Sequence, residues 1–485
     1  MNLDGLLSLV SSNPAVGVRI DSRLVRAGDV FVAIKGASCD GRQFIDKAVA
    51  SGARYVVYED GQTVPLATAG AVFVPVENPA HAAGLLAQAA NGYPAKKLTC
   101  MAVTGTNGKT TVAFLVQACV KAAGHQCGLM GTVVYDTGSG VTASTLTTPD
   151  CLTTADMQRQ MVQAGSTYMV TEASSHALSQ DRLAGVDFLA AAFTNLTGDH
   201  LDYHRTTDNY LAAKTRLFTS LAPDATAVLN KQAPQSQLIA QETKARVCWF
   251  AVDEPADLTA HIESMTVEGT VFTLEFQGQR EQVRTPLLGR YNVSNHLTAA
   301  GLCLAVGLDL KTVAKGLSSL PGVPGRLERV AGDGFTVLVD FAHTDDAMQN
   351  VLTTLRPLCK GRLTILFGCG GDRDRTKRPR MARVAERLAD TILVTSDNPR
   401  TEDPGAIIGE IIAGFENPGS ERVTVQPDRR KAIELAIENA RPDDIILLAG
   451  KGHETYQIIG TKKFDFSDKD IAGQCLRKRQ CSPSR

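Results

Sequence analysis

Short apolar runs with strand character alternate along most of the chain with longer stretches in helical period. That order is expected of α/β layers built on largely parallel sheets. The runs Leu98–Val103, Tyr168–Val170, Phe188–Phe193 and Thr391–Thr395 predict strands, and Val112–Ala123 and Tyr210–Phe218 predict helices. Two breaks interrupt the pattern. Asn91-Gly92-Tyr93-Pro94-Ala95-Lys96-Lys97 is a turn-and-charge cluster, and Leu320-Pro321-Gly322-Val323-Pro324-Gly325 holds two prolines and two glycines that oppose a continuous helix or central strand. Together they predict three units: residues 1–92, 93–322 and 323–485.

The 485 residues are 44% hydrophobic and 21% charged, which suits compact domains rather than disorder or a fibrous repeat. Lys plus Arg (50) balance Asp plus Glu (51), for a net charge of -1. Without a global field, no nucleic-acid or membrane partner is expected, and any anion site must be local. The eleven cysteines are odd in number and include no C-x-x-C pair, as expected of reduced thiols in a cytosol. The start MNLDGLLSLVSSNPA has no basic segment before its apolar run, and no run approaches the roughly 18 residues that cross a bilayer. The expectation is a cytoplasmic chain ending in a solvated basic tail, Arg477-Lys478-Arg479-Gln480-Cys481-Ser482-Pro483-Ser484-Arg485.

Local anion chemistry is concentrated at Val103-Thr104-Gly105-Thr106-Asn107-Gly108-Lys109-Thr110-Thr111, between a predicted strand and a predicted helix. Glycines there let backbone N–H groups close around phosphate oxygens, Lys109 reaches the terminal phosphates, and Thr110 can ligate magnesium. The segment departs from the general G-x-x-x-x-G-K-[ST] loop, because Val103 stands at the first glycine position. Lys214 follows Tyr210 by four residues and precedes Leu217 and Phe218 by three and four, so it shares a helix face with apolar groups. A snorkelling lysine is one reading. The other is a desolvated amine that loses its proton and can react with carbon dioxide.

G-T-N-G-K-T-T resembles the loop of the Mur ligases and the related folylpolyglutamate synthetases, and further landmarks of that family follow in order over essentially the whole chain. They include Thr171-Glu172-Ala173-Ser174-Ser175-His176, Asn195-Leu196-Thr197-Gly198-Asp199-His200, Gly289-Arg290-Tyr291-Asn292-Val293-Ser294-Asn295, Gly325-Arg326-Leu327-Glu328-Arg329 and Val339-Asp340-Phe341-Ala342-His343-Thr344. The last has Phe where the family has Tyr. The resemblance implies a small N-terminal α/β UDP-binding domain, a central P-loop ATPase-type parallel sheet and a Rossmann-like C-terminal domain. It also implies ATP at Gly105–Thr111, Asn295, Arg326, Asp340 and His343, with Mg2+ at Thr110, Glu172, His200 and a carbamylated Lys214. The reaction implied is amide formation through an acyl phosphate, with Lys109, Glu172, His200 and Lys214 as its catalytic set.

The incoming amino acid is implied by Asp397-Asn398-Pro399-Arg400, which resembles the signature of diaminopimelate-adding members; lysine-adding members lack this arginine. Arg400 can pair bidentately with the extra carboxylate by which diaminopimelate differs from lysine. The same pattern places Arg373, Gly450 and Glu454 around that amino acid, with Glu454 on the distal ammonium. Ser22, Thr147, Thr148, Ser174, Gln180 and Arg182 match the family's contacts to the UDP-linked muramoyl peptide. The implied partners are UDP-MurNAc-L-Ala-D-Glu and meso-diaminopimelate, used by a monomer. Rivals at this stage are a lysine-adding muramoyl ligase, a folylpolyglutamate-type ligase and, from another class, a P-loop ATPase regulator or motor.

Overall fold

The structure, a computed structural model, describes residues 1–36, 39–61, 70–330 and 334–481; residues 482–485 of the basic tail lie outside them. Three large sheets follow one another along the chain, and a two-stranded hairpin, Tyr456–Ile459 with Lys462–Asp465, comes after them. The first has four parallel strands in chain order, Val18–Arg19, Val30–Val32, Tyr55–Glu59 and Val72–Val76. Leu6 and Val10 of the helix Leu3–Ser12 and Ala82, Ala83 and Leu86 of the helix Pro79–Ala90 bury one face of it.

The second sheet has eleven strands. Seven are parallel, in the order Leu258–Thr266, Arg246–Val252, Thr226–Asn230, Ala190–Phe193, Thr99–Thr104, Tyr168–Glu172 and Cys127–Met130. Both faces are covered, so strands such as Ala190–Phe193 are apolar and buried throughout. The helices Lys109–Ala122, Arg290–Ala305 and Leu310–Ser319 fill one side. Cys151–Gln163 and Thr207–Thr219 fill the other. Antiparallel strands close the edges: Gly269–Phe276 and Gln279–Thr285 on one side, Val134–Asp136 and Val141–Ala143 on the other. The first pair turns at Gln277 and Gly278, both at positive φ (50° and 77°), as a two-residue hairpin matching strand twist requires.

The third sheet, in the order Glu328–Val330, Thr336–Asp340, Ile445–Ala449, Leu363–Phe367, Thr391–Val394 and Val423–Val425, is parallel except for its first strand. Asp345–Leu355, Lys377–Leu388 and Pro404–Ile412 cover one face, and Arg429–Glu438 and Asp468–Cys481 the other. Close contacts join the lobes. Gln88 Nε2 donates to Gln158 Oε1 at 2.6 Å, and a Cβ added at Gly84 would lie 2.4 Å from the carbonyl oxygen of Ala184. The segment Leu320–Gly325 forms neither helix nor central strand; its only pairing among the described residues is an isolated bridge between Val323 and Arg326.

Candidate active site

The strand Thr99–Thr104 lies inside the second sheet between Ala190–Phe193 and Tyr168–Glu172; the chain leaves it toward Cys127–Met130 on one side and later extends the sheet on the other, the reversal of strand order at which open α/β sheets bind ligands. Its turn uses two glycines in conformations closed to other residues. Gly105 has φ +146° and a Cβ there would lie 1.9 Å from Thr194 Oγ1; Gly108 has φ +92° and a Cβ would lie 2.3 Å from Asn295 Oδ1. The next strand's end braces the turn: Thr194 Oγ1 donates to the Asn107 carbonyl at 2.6 Å, and Asn195 accepts from the N–H groups of Thr106 (2.9 Å) and Asn107 (3.0 Å). The helix begins at Lys109, three residues before the expected Val112, so Lys109, Thr110 and Thr111 make its first turn. Their amides therefore belong to the positive helix end at the loop's mouth.

Two lysines converge on one carbonyl. Lys109 Nζ donates to the Gly105 and Thr106 oxygens, each at 2.9 Å, and Lys214 Nζ donates to the same Gly105 oxygen at 2.8 Å. Lys214 is 1% exposed, and its amine lies 4.4 Å from the Tyr210 ring centroid. Burial, and then the charge of Lys109, push its ammonium well below the ordinary lysine range. The snorkelling alternative fails, because this amine does not reach solvent.

Glu172 is the last residue of its strand rather than the second beyond it, since Tyr168–Glu172 continues two residues past the expected end. Its buried carboxylate accepts from Thr132 N (2.8 Å), Thr132 Oγ1 (2.9 Å) and Thr110 Oγ1 (3.1 Å). These are hard oxygen donors at a phosphate loop, which fits a magnesium ion that takes few protein ligands and completes its shell with phosphate oxygens and water. Among the described residues, no group of three His, Cys, Asp or Glu side chains could hold a metal alone. His200, at φ +53°, packs edge-on to the His176 ring (4.9 Å) and near that of Tyr210 (6.1 Å), so Tyr210 adjoins both His200 and Lys214.

Five of the residues expected at the peptide substrate form one patch beside Glu172. Thr148 Oγ1 lies 2.6 Å from the Glu172 carbonyl and 3.1 Å from Ser174 Oγ, and Thr132 Oγ1 donates to Thr147 Oγ1 at 3.2 Å. Arg182 donates to the Thr148 carbonyl (2.9 Å) and to Gln180 Oε1 (2.8 Å). Ser22 is buried in the first lobe, in a short turn capped by Asp21, and makes no hydrogen bond to this patch among the described residues.

The third lobe reaches the loop through Arg326, whose Nη2 donates to Thr110 Oγ1 at 3.2 Å. Asp340 aims it, accepting from the N–H groups of Leu327 and Ala342, each at 2.7 Å. The guanidinium lies 4.8 Å from the Phe341 ring centroid, so the Phe that replaces the family's Tyr stacks on the arginine. His343 Nδ1 donates to the Phe341 carbonyl (2.8 Å), with burial lowering its basicity. Asn295 is buried, its Nδ2 donating to Asn292 Oδ1 at 3.0 Å and its Oδ1 facing Gly108.

Glu454 Oε2 accepts from Asn398 Nδ2 (2.8 Å) and Lys451 Nζ (3.1 Å), and Asp397 stands 3.8 Å from the same ammonium. Gly450, at φ +111°, packs where a Cβ would lie 2.7 Å from Asp397 Oδ2. Arg400 is itself at φ +52°; its Nη1 donates to the Gly371 carbonyl at 2.8 Å. Pro399 closes against Gly371, and Arg373 is exposed, donating to the Asp372 carbonyl at 3.0 Å. A short run of contacts ties this cluster to the phosphate loop. Lys451 is followed by Gly452 and His453, whose ring lies 5.2 Å from that of Phe341, beneath Arg326. Thr132, Thr194, Lys451 and Asp346, whose Oδ2 accepts from Asn107 Nδ2 of the phosphate loop at 3.1 Å, escaped the sequence reading. Lys451 had a signal, a charge between two glycines beside Glu454; Thr132 had none.

Family models cover most of the chain: the Mur ligase family catalytic domain matches residues 15–91, the Mur ligase middle domain 103–303, and the Mur ligase glutamate ligase domain 325–452. The chain belongs to the Mur ligase family, whose members are ATP-dependent ligases that form amide bonds. It is 40% identical to the UDP-N-acetylmuramoyl-L-alanyl-D-glutamate--2,6-diaminopimelate ligase of Solibacter usitatus, over 98% of each chain. The enzyme of the same name from Gloeobacter violaceus is 43% identical over 96% of this chain and 94% of that one. A solved structure of a ligase of that name superimposes with a TM-score of 0.70 at 33% identity, covering 96% and 95% of the two chains. The MurF ligase of Thermotoga maritima in complex with ADP shares the fold, with a TM-score of 0.62 at 19% identity over 96% and 99%. Among the described residues no helix is long and apolar enough to cross a membrane.

Proposed function

We propose that this chain joins meso-diaminopimelate to the D-glutamate carboxylate of UDP-MurNAc-L-Ala-D-Glu at the expense of ATP, in the cytoplasm and as a monomer. Residues 1–92 hold the UDP end, 93–322 the triphosphate and peptide, and 323–485 the amino acid. The reading rests on one observation: Arg326 of the third lobe meets Thr110 of the phosphate loop, while Phe341 beneath it meets the His453 that follows the Glu454-anchoring Lys451. Two substrate sites thus share a wall.

A carboxylate does not condense with an amine in water, because its oxygen is a poor leaving group. Transfer of the γ-phosphoryl group makes that oxygen part of a phosphate, which the amine then displaces through a tetrahedral intermediate. The loop amides, Lys109 and Arg326 hold the transferring group and offset its charge. Asn295 and His343 flank the nucleotide, and Thr110, Glu172 and His200 are the magnesium side of the site. When bound, magnesium supplies charge neutralisation and orientation of the phosphates. Lys214, buried and poor in protons, is the residue that captures carbon dioxide as a carbamate, its neutral amine forming the N–C bond and releasing one proton to water; the anion then stands beside the Lys109 ammonium, which shares the Gly105 carbonyl.

Thr147, Thr148, Ser174, Gln180 and Arg182 hold the peptide, and Ser22 the UDP moiety. In the amino-acid pocket, Glu454 Oε1 faces the distal ammonium because Oε2 is engaged by Asn398 and Lys451. Arg400 keeps its Nε and Nη2 edge for the distal carboxylate, since only Nη1 is engaged among the described residues. Mass spectrometry of the nucleotide product after incubation with ATP, UDP-MurNAc-L-Ala-D-Glu and meso-diaminopimelate tests the reading. One diaminopimelate residue added per muramoyl peptide supports it; ATP hydrolysis with unchanged peptide refutes it.

A further inference from the structure

Arg378 shares with Arg429 the place of largest fully buried side chain among the described residues, and nothing in the proposed reaction uses it. From the helix Lys377–Leu388 it reaches between two loops. Its Nη1 and Nη2 clasp Glu402 Oε2 (3.1 Å) and Oε1 (3.0 Å), Nη1 also reaches Glu410 Oε2 (2.8 Å), and Nη2 donates to the Gly370 carbonyl (3.2 Å). Glu402 in turn accepts from Asp372 N at 2.6 Å and pairs with Arg375 at 2.8 Å. One loop carries Arg373 and the other Arg400, the two cations expected at the amino acid.

We infer that Arg378 and Glu402 are positioning residues that set the place of Arg400, and with it the preference for a second carboxylate on the incoming amino acid. This rests on the reading of the pocket given above. Arg400 sits two residues before Glu402 in a left-handed conformation, a strained state that persists only where its surroundings over-determine it. The Arg400 backbone is held by the segment Ile458–Gly460, its N–H donating to the Ile458 carbonyl (3.1 Å) and its carbonyl accepting from Gly460 N (2.7 Å). Its side chain and flanks are held by bonds from one loop to the other. Gly371 N donates to the Asn398 carbonyl (2.9 Å), Arg400 Nη1 to the Gly371 carbonyl (2.8 Å) and Thr401 Oγ1 to Asp372 Oδ1 (2.8 Å). Thr401 and Asp372 are exposed, whereas Gly371 and Asn398 are buried; beneath the exposed bond lies the Arg378–Glu402 pair, with Arg378 0% and Glu402 12% exposed at the side chain. A buried bidentate pair is a costly way to gain stability but a strict way to hold two loops in one register. Neither residue touches the substrate. Their effect passes through the angle at which Arg400 offers its free edge.

The test is steady-state kinetics of Glu402→Ala with meso-diaminopimelate and with lysine, alongside KM for ATP and the thermal midpoint. Loss of register should raise KM for diaminopimelate by about tenfold or more, as misplacement of a binding group by about 1 Å does. KM for ATP and kcat/KM for lysine, which has no second carboxylate, should stay within about twofold. Glu402→Asp should recover part of the loss. The inference is overturned if KM for diaminopimelate is unchanged, or if all parameters fall together with the thermal midpoint, the mark of a merely structural pair. Should Glu402→Ala not fold, Arg378→Lys, which keeps the buried cation but loses the two-point clasp, is read by the same criteria. A wild-type protein that does not use diaminopimelate at all refutes the proposed function instead, before either variant is made.

Discussion

Replacing Arg400 by Ala removes the cation assigned to the second carboxylate while leaving the rest of the pocket in place. Both residues carry a Cβ, so the left-handed backbone at position 400 (φ +52°) is equally strained in each. Removing the side chain also takes the Nη1 donor (2.8 Å) from the carbonyl of the buried Gly371, a stability cost common to both amino acids. The loss specific to diaminopimelate falls on the ligand. A bidentate charged pair at a partly exposed site contributes about 2–4 kcal/mol. At about 1.4 kcal/mol per factor of ten, kcat/KM for meso-diaminopimelate should fall about 30- to 700-fold. Lysine lacks the group that Arg400 binds, so its kcat/KM should not fall. A coupled phosphate-release assay with each amino acid, at saturating ATP and UDP-MurNAc-L-Ala-D-Glu, measures both. Equal losses for the two amino acids, or no loss for diaminopimelate, would refute the pairing.

Three further outcomes are expected. Lys214→Ala should lose nearly all turnover and regain part of it in acetate, while depletion of carbon dioxide should slow the wild type and bicarbonate restore it; no response to either small molecule argues against a carbamate. Gly108→Ala should abolish ATP binding in calorimetry, since its Cβ would sit 2.3 Å from Asn295 Oδ1 at φ +92°, and near-normal affinity would show the loop to be more pliant than drawn. His296 is buried between the Asn292 carbonyl (2.6 Å) and Thr285 Oγ1 (3.2 Å), and burial lowers it to about 4. Because the fold disfavours its protonated form, the unfolded chain takes up the proton first, so stability is full above pH 6.5 and is lost as pH falls toward 4. The loss attributable to this group approaches about 3 kcal/mol. Denaturant titrations at pH 7 and pH 4.5 should show a smaller difference for His296→Gln than for the wild type, and an equal difference would assign the acid sensitivity elsewhere.

The phosphate loop was legible because its chemistry is local: glycines at fixed offsets, a lysine and a threonine, set between a strand and a helix. Lys214 was legible for a different reason, its place on the apolar face of a helix, although only the fold reveals that Lys109 shares its carbonyl. The antiparallel strands Gly269–Phe276 and Gln279–Thr285 that widen the second sheet were not foreseen, even though Phe272-Thr273-Leu274-Glu275-Phe276 alternates between Glu268-Gly269 and Gln277-Gly278. Thr132 could not be found at all. It caps Glu172 from a loop 40 residues away, and such a partner is fixed by tertiary placement rather than by any pattern in its own neighbourhood.

On the function proposed above, the cleft joining Thr110, Arg326 and Glu454 selects an amino acid with charges at both ends. That selection is read by the ratio of kcat/KM for meso-diaminopimelate to that for lysine in the unmodified protein, measured by phosphate release with UDP-MurNAc-L-Ala-D-Glu present. The ratio should exceed about 30, the smallest factor that the Arg400 pairing supplies. A ratio near one, or phosphate release that needs no amino acid, would contradict the claim.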